Sequence, residues 1–145
     1  MRIAITSGYF DPMHRGHLEL LALSRAQGDA LWVIVNTDGL AALKKGKAFI
    51  DQDTRLAVTA ALRVVDRAVL AIDTDGSVCA TLARLIIEAK ALGHEAVFCK
   101  GGDRNSGNIP EMAVLRQHGA MLIEGLGAKI DSSSRIIAQA KPPVA

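Results

Sequence analysis

The sequence predicts an α/β protein in which helices cover both faces of a five-stranded parallel sheet. Short apolar runs alternate with longer helix-like runs, an order that produces right-handed crossovers between parallel strands. One of these runs, residues 31–35, is continuously apolar, as is typical of a strand buried on both faces. No repeat, linker or low-complexity tract divides the 145 residues, so we expect one domain over residues 1–145 with a sizeable core.

Each strand is predicted from an apolar run that ends at polar or glycine residues. The five strands are expected at residues 2–6, 31–35, 68–72, 96–99 and 120–123.

The helices are predicted from the runs between the strands and from their start and stop signals. Gly28 and Gly119 are stop signals, and Pro110 is a start signal. Asp53 or Thr54 is a suitable N-cap for the third helix. The helices are expected at residues 18–27, 40–43, 53–65, 75–93, 110–118 and 135–140.

The bulk composition excludes several classes of function. A net charge of +2 is too small to predict binding to nucleic acid or to a membrane surface. No apolar run approaches the roughly 20 residues that span a bilayer, and no signal peptide is visible. Cys79 and Cys99 lack CxxC spacing, so we interpret them as buried free thiols in a reducing compartment and not as a zinc site. We therefore expect a soluble, cytoplasmic protein.

The junction between the first strand and the first helix, residues 7–17, is the centre of the candidate site. The first N–H groups of a helix lack partners and lie at the positive end of its dipole, so the junction attracts phosphate. His14 and His17 are three residues apart and share a helix face. Both rings can therefore donate to phosphate oxygens and stabilise charge that grows in a transition state.

The remaining residues of this junction allow more than one interpretation. Gly8 suits a tight turn and also lets a phosphate or a base approach the backbone closely. Tyr9 and Phe10 are better explained by packing than by stacking on a base. A metal site is the weaker alternative for the histidines, because Asp11 is the one further ligand nearby.

Further polar segments follow the other strands, and in a parallel sheet ligands bind beyond the carboxyl ends of the strands. One of the lysines at 44, 45 and 47 could reach the β- and γ-phosphates of a nucleotide, and we favour Lys45 and Lys47; a solvated loop is the alternative for this cluster. Lys100 is expected to contact phosphate, and Asp103 a sugar hydroxyl or the acceptor. The serines at 132–134 either cap a helix or bind terminal phosphates.

With these residues assembled, the chain resembles the cytidylyltransferase-like nucleotidyltransferases. Residues 8–17, GYFDPMHRGH, are similar to the family signature GxFDxxHxGH. The blocks KGGD at 100–103 and SSSRII at 132–137 look like two further family motifs, and the likeness covers nearly the whole chain. Within the family, the chain most resembles the adenylyltransferase domain of bacterial ADP-heptose synthesis, and glycerol-3-phosphate cytidylyltransferase is a second likeness.

The resemblance implies a Rossmann-like three-layer α/β/α sandwich, a homodimer and Mg²⁺-dependent chemistry on a nucleoside triphosphate. Catalytic roles are implied for His14, His17 and Lys45. Nucleotide binding is implied for Ser7, Gly8, Tyr9, Phe10, Gly16, Lys47, Lys100, Ser132, Ser133 and Ser134. Binding of the phosphorylated acceptor is implied for Asp11, Asp38, Arg55, Gly102 and Asp103. No side chain is expected to bind the metal, since the nucleotide phosphates hold Mg²⁺.

The sequence departs from the family pattern at two places. Residues 127–130, GAKI, stand where the family often has Arg-Thr-x-Gly, and Lys129 is a candidate substitute for the missing arginine. Tyr9 replaces the smaller residue common between Gly8 and Phe10, which reshapes the acceptor end of the pocket.

From the residues alone, Arg55 is as readily a solvent-facing side chain as a ligand.

The leading hypothesis is the transfer of a nucleoside monophosphate from ATP or CTP to a sugar or polyol phosphate, with release of pyrophosphate. Heptose 1-phosphate is the favoured acceptor, and glycerol 3-phosphate or a related alcohol phosphate is the alternative. A nucleotide-binding module without turnover is a second class, which the paired histidines disfavour. A metal-dependent hydrolase built on Asp11, His14, His17 and Asp103 is a third.

Overall fold

The five strands form one all-parallel sheet in the order β3-β2-β1-β4-β5. The computed structural model describes residues 1–45, 48–101, 109–127, 136–137 and 139. The strands are β1 (Arg2–Gly8), β2 (Ala30–Val35), β3 (Arg67–Leu70), β4 (Glu95–Gly101) and β5 (Met121–Leu126). The helices are α1 (Arg15–Arg25), α2 (Asp38–Lys45), α3 (Gln52–Ala60), α4 (Cys79–Ala91) and α5 (Glu111–His118). The predicted Rossmann-like α/β fold is confirmed.

The central strand β1 separates two packed layers of side chains, because alternate residues of a strand point to opposite faces. Ile5, Ile34 and Phe98 face α4 and α5 and belong to one core cluster. Ala4, Val33 and Val97 face the other way and belong to a second cluster, which includes Leu21 of α1. Both faces of the sheet are therefore covered, as a continuously apolar β2 predicts.

The largest boundary difference from the sequence prediction concerns α3, which begins earlier and ends earlier than expected. Its N-cap is Asp51 and not Asp53 or Thr54, because the Asp51 carboxylate accepts a hydrogen bond from the Thr54 N–H at 2.7 Å. That hydrogen bond holds the pKa of Asp51 below its usual range. The helix ends at Ala60, so a turn replaces its predicted final turn up to residue 65.

Other boundaries shift by short stretches that have local causes. Residues 75–77 form a turn before α4, in which Asp75 Oδ1 accepts from the N–H and the hydroxyl of Ser77. Gly28 follows the C-terminal end of α1, and a Cβ at this position would lie 2.7 Å from the Arg2 carbonyl oxygen. A glycine is therefore needed here for the backbone to approach that of β1 closely. Residues 136, 137 and 139 are helical, as predicted, whereas the serine cap proposed for that helix lies outside the described residues.

The two cysteines have different environments. Cys99 is buried on the α1 side of the sheet, and burial raises the pKa of its thiol to about 11. Cys79 is only partly buried at the start of α4, and burial is also the first cause that raises its pKa. The predicted burial is therefore right for Cys99 and only partly right for Cys79.

Across the described helices, none has the length and apolar character needed to cross a bilayer.

Candidate active site

The carboxyl ends of β1, β2 and β4 meet around a cavity of about 560 Å³. The strand ends are held together at this point, since the Asn36 N–H donates to the Gly8 carbonyl oxygen at 3.0 Å. The cavity lies on the side of the sheet covered by α4 and α5. Its lining consists of Ser7, Gly8, Tyr9, Asn36, Leu40, Gly76, Val78, Lys100, Ile109, Pro110 and Glu111.

The signature segment crosses from one face of the sheet to the other between Tyr9 and Phe10. Tyr9 packs against the core cluster on the α4 and α5 side, whereas Phe10 is 2% exposed within the cluster on the α1 side. Phe10 has a positive φ of 53°, and a Cβ on Gly8 would lie 2.8 Å from two atoms of its ring. Gly8 is thus required by the ring of Phe10. That ring is too buried to contact a nucleotide, so the implied binding role of Phe10 is limited to its backbone.

His14 and His17 form a reciprocal cap at the start of α1. The Gly16 N–H donates to His14 Nδ1 at 3.1 Å, and the His14 N–H donates to His17 Nδ1 at 3.2 Å. A neutral imidazole that accepts at Nδ1 carries its proton on Nε2. The backbone therefore selects the same tautomer for both rings and leaves Nε2 as the donor nitrogen of each.

The two imidazole rings are also packed in a fixed relative orientation. Their centroids are 3.8 Å apart with 25° between the planes, so the rings are stacked. The edge of Phe10 meets His17 at a centroid distance of 5.0 Å. Phe10 therefore orients a candidate catalytic side chain, a role that follows from its burial.

Asp11 has a structural part within the protein, and its predicted contact with the acceptor stays a prediction. Its side chain is 0% exposed. The two carboxylate oxygens accept hydrogen bonds from the main-chain N–H groups of Phe49 at 2.8 Å and Ile50 at 2.6 Å. Asp11 therefore ties the segment before α3 to the signature segment. The same hydrogen bonds disfavour the metal-dependent hydrolase, which needs Asp11 as a ligand.

Arg55 is likewise buried and engaged within the protein, although the resemblance implied contact with the acceptor. The residue is 2% exposed. Its guanidinium donates to the carbonyl oxygens of Ile50 (2.8 Å), Tyr9 (2.7 Å) and Asn36 (2.7 Å), and to Asp38 Oδ1 (2.7 Å). Four acceptors thus use most of the five N–H donors of an arginine. Arg55 holds β1, β2 and the start of α2 in register behind the site.

The other described candidates lie at or near the strand ends, and their roles stay predictions. Asp38 is half-exposed at the start of α2 while Arg55 binds one of its oxygens. The Tyr9 hydroxyl donates to the Leu40 carbonyl oxygen at 3.4 Å. Lys100 lines the cavity, with Nζ 5.9 Å from the ring centroid of Phe98. Gly16 lies in the first turn of α1, and Ser7 lies near the end of β1.

Several predicted residues lie where the structure describes no side chain. The backbone of Lys45 belongs to the end of α2, but its side chain is outside the described part, as is that of Lys44. The remaining such candidates are Lys47, Gly102, Asp103, Lys129, Ser132, Ser133 and Ser134. Within the described residues, no group of three or more His, Cys, Asp or Glu side chains could hold a metal ion.

Two polar residues in the cavity wall were not among the predicted site residues. Asn36 is buried, and its side-chain Oδ1 has no hydrogen-bond partner among the described residues. A polar residue directly after an apolar strand indicates a site position, because ligands bind beyond the carboxyl ends of parallel strands. Glu111 is buried and accepts from the Val78 N–H at 3.1 Å, which joins the starts of α4 and α5. This contact spans 33 residues of sequence, so no local pattern indicates it.

A Rossmann-like sheet with a paired-histidine cap at its first crossover agrees with the fold and the histidine pair that the resemblance to the nucleotidyltransferases implies. Residues 5–139 match the cytidylyltransferase-like family, and the chain belongs to this family. Family membership and the named relatives indicate nucleotidyltransferase activity.

The relatives carry two kinds of name. The bifunctional protein HldE of Azotobacter vinelandii is 35% identical over 120 residues, which cover 81% of this chain and 23% of that protein. HldE of Streptomyces coelicolor is 34% identical over 95% of this chain and 28% of its own length. FAD synthase of Thermoplasma volcanium is 34% identical over 65% of each chain. The chain thus spans about a quarter of these HldE proteins.

A solved structure supports the same fold. The lipopolysaccharide core biosynthesis protein from Thermoplasma volcanium superposes with a TM-score of 0.67 at 26% identity. The match covers 90% of this chain and 98% of that one. The similarity therefore extends well beyond the signature segment, residues 8–17.

Proposed function

We propose that this protein transfers AMP from ATP to the phosphate group of a small acceptor and releases pyrophosphate. The observation that carries the proposal is the pair of stacked imidazoles, His14 and His17, whose Nδ1 atoms are both held by backbone N–H groups. Two Nε2 donors at a helix N-terminus suit a phosphate group that gains charge during reaction. Adenylyl transfer is favoured over cytidylyl transfer because FAD, which the FAD synthase relatives are named for, contains AMP.

The reaction asks little covalent chemistry of the protein. An oxygen of the acceptor's phosphate attacks the α-phosphorus, a new P–O bond forms, and the bond from the α-phosphorus to the bridging oxygen breaks. The electron pair leaves with pyrophosphate. The nucleophile is already an anion, so no general base is required. Catalysis then depends on in-line positioning and on neutralising charge around the phosphorus.

Other residues take supporting roles in this proposal. Lys45, Lys47 and Lys100 contact phosphates, and the serines at 132–134 bind the nucleotide at the start of the last helix. A Mg²⁺ ion held by the phosphates of a bound nucleotide would supply neutralisation of their charge, and Lys45, Lys47 and Lys100 are the residues that would hold those phosphates. Both carboxylate oxygens of Asp11 accept hydrogen bonds from backbone N–H groups, so the proposal assigns no metal-binding role to this side chain.

The role of the histidines is tested with a variant that keeps the capping hydrogen bond made at His17 Nδ1 and removes the proposed donor, Nε2. In His17→Asn, the amide oxygen can replace Nδ1 as acceptor from the His14 N–H, but nothing replaces Nε2. We expect turnover to fall by about 10²–10³-fold while the melting temperature stays close to that of the parent. His17→Ala should lose turnover to the same extent and remain folded. His118→Asn, a change on α5, is the matched control.

The assay is the release of pyrophosphate with ATP or CTP, Mg²⁺ and a panel of acceptors. Heptose 1-phosphate is our favoured acceptor, glycerol 3-phosphate is the alternative from the family resemblance, and FMN is added because of the FAD synthase relatives. Undiminished turnover in His17→Asn would refute the assigned role. Nucleotide binding without pyrophosphate release would favour a binding module. We also propose a homodimer, which light scattering of the purified chain would test.

A further inference from the structure

One side chain of each charge lines the cavity at the carboxyl ends of β1, β2 and β4. Lys100 lies near the end of β4 and Glu111 lies in the first turn of α5, while the other described lining residues are uncharged. The ion pairs of the described residues do not include one between Lys100 and Glu111. Each charge is therefore available to orient a molecule that occupies the cavity.

Glu111 has one carboxylate oxygen that is engaged by the protein and one that is not. The residue is 6% exposed, and its Oε2 accepts a hydrogen bond from the Val78 N–H at 3.1 Å. No described group donates to Oε1. The described side-chain atoms that lack both a partner and accessible surface do not include Oε1, so this oxygen can be reached from the cavity that Glu111 lines. A carboxylate that is buried this deeply requires a donor at each oxygen.

Lys100 gives the cavity a direction. Its side chain is half-buried, and Nζ lies 5.9 Å from the ring centroid of Phe98. An ammonium group attracts a phosphate, whereas a carboxylate repels a phosphate and accepts hydrogen bonds from neutral donors such as hydroxyl groups. A molecule with a phosphate near Lys100 and a hydroxyl group near Glu111 therefore matches both charges.

The position of the cavity favours the acceptor over the nucleoside part of ATP. His14 and His17 lie at the start of α1, which covers the face of the sheet opposite to α4 and α5. In-line transfer requires the attacking oxygen and the leaving pyrophosphate to lie on opposite sides of the α-phosphorus. With the phosphates of ATP on the histidines, the cavity on the α4 and α5 side is suited to the second reactant. The two reacting phosphates meet each other, so Lys100 can lie near both.

We propose that Glu111 is a specificity-determining residue for the acceptor, an inference that rests on the proposed function. The cavity holds the body of the acceptor, and Glu111 Oε1 accepts a hydrogen bond from one of its hydroxyl groups. The acceptor class is therefore a phosphate ester of a sugar or polyol that has a free hydroxyl group away from the phosphate. An analogue without that hydroxyl group leaves Oε1 unpaired and is rejected.

The test compares the parent protein with Glu111→Gln, which has the same shape. The amide oxygen can still accept from the Val78 N–H, but the second position becomes an NH₂ group, which cannot accept a hydrogen bond. Glu95→Gln is the matched control, because Glu95 lies at the amino end of β4 with a side chain that is 77% exposed. A variant that also breaks the link between α4 and α5 is thereby avoided.

Pyrophosphate release with ATP and Mg²⁺ is measured with glycerol 3-phosphate, heptose 1-phosphate and FMN, and then with the single deoxy analogues of each acceptor that is turned over. We expect Glu111→Gln to raise the KM of the acceptor roughly 10- to 100-fold and to leave the KM of ATP and the melting temperature unchanged. The parent should reject one deoxy analogue by a similar factor, and Glu111→Gln should not. Glu95→Gln should behave as the parent does.

Two outcomes would overturn the inference and leave the proposed function intact. An unchanged KM of the acceptor, with the discrimination against the deoxy analogues retained, would show that Glu111 only joins the two helices. A raised KM of ATP in place of that of the acceptor would assign the cavity to the nucleotide.

Calorimetric titration of the same acceptors without ATP distinguishes failure of the inference from failure of the proposed function. Acceptor binding that is weaker in Glu111→Gln, without pyrophosphate release by the parent, would uphold the site and refute the transfer reaction. Neither binding nor release with any of the acceptors would refute both.

Discussion

Replacement of Arg55 by methionine should destabilise the protein more than it impairs ligand binding. The change removes donors from three carbonyl oxygens and from Asp38 Oδ1. Each hydrogen bond to a charged group contributes about 1.5–3 kcal/mol, but bonds that share one side chain are not additive. A buried carbonyl oxygen that loses its donor costs about 1–3 kcal/mol. We therefore expect Arg55→Met to lower the free energy of unfolding by about 4 kcal/mol.

Urea denaturation followed by circular dichroism measures this loss. With a denaturant dependence of about 2 kcal/mol per molar urea, the midpoint should fall by about 2 M. Arg55→Lys is the matched control, because it keeps the charge but cannot reach all four acceptors, and its loss should be roughly half as large. A midpoint that stays unchanged while the KM of the acceptor rises would refute this reasoning. It would support the substrate-binding role implied by the family resemblance.

Three further predictions follow from contacts near the site. Gly8→Ala should lower stability by about 1–3 kcal/mol, since its methyl group would overlap the Phe10 ring; a thermal melt equal to that of the parent would contradict it. Asp11→Asn should also destabilise, by about 1–3 kcal/mol, because an amide cannot accept both backbone hydrogen bonds; urea denaturation measures this, and an unchanged midpoint with weaker acceptor binding would speak against it. At pH 8 iodoacetamide should label Cys99 at least about 100-fold more slowly than an ordinary exposed thiol and label Cys79 sooner, because Cys99 is 1% exposed and burial raises the pKa of its thiol from 9.0 to about 11. Mass spectrometry of the labelled peptides measures the two labelling rates. The neutral Cys99 thiol contributes stability below pH 9, and this contribution is lost as the pH rises through 11.

The fold could be predicted from the sequence because its signals are local. The continuous apolar run of β2 and the stop signals at Gly28 and Gly119 are each readable within a few residues. The start of α3 was missed because Asp51, Asp53 and Thr54 are all acceptable caps, and backbone geometry selects one of them. Element type was thus predictable, whereas the boundary depended on a single hydrogen bond.

The candidate site was predictable only in part, because residue type indicates chemistry but not burial. His14 and His17 were recognised from their spacing, but their reciprocal cap depends on ring orientation. Asp11 and Arg55 have the charges expected of ligands, yet most of their described partners are main-chain groups, up to 46 residues away. Such contacts have no periodicity, so a charged residue beside a site and one within it look alike in the sequence.

The crossing of the sheet between Tyr9 and Phe10 has a consequence for how acceptor preference can diverge. One residue faces the chamber bounded by α4 and α5, and the next supports the imidazoles on the opposite side. A substitution that reshapes the cavity wall around Tyr9 can therefore leave the contact between Phe10 and His17 intact. On the proposed function, this division between the two faces of the sheet would allow relatives that are named for different products to keep the same pair of histidines.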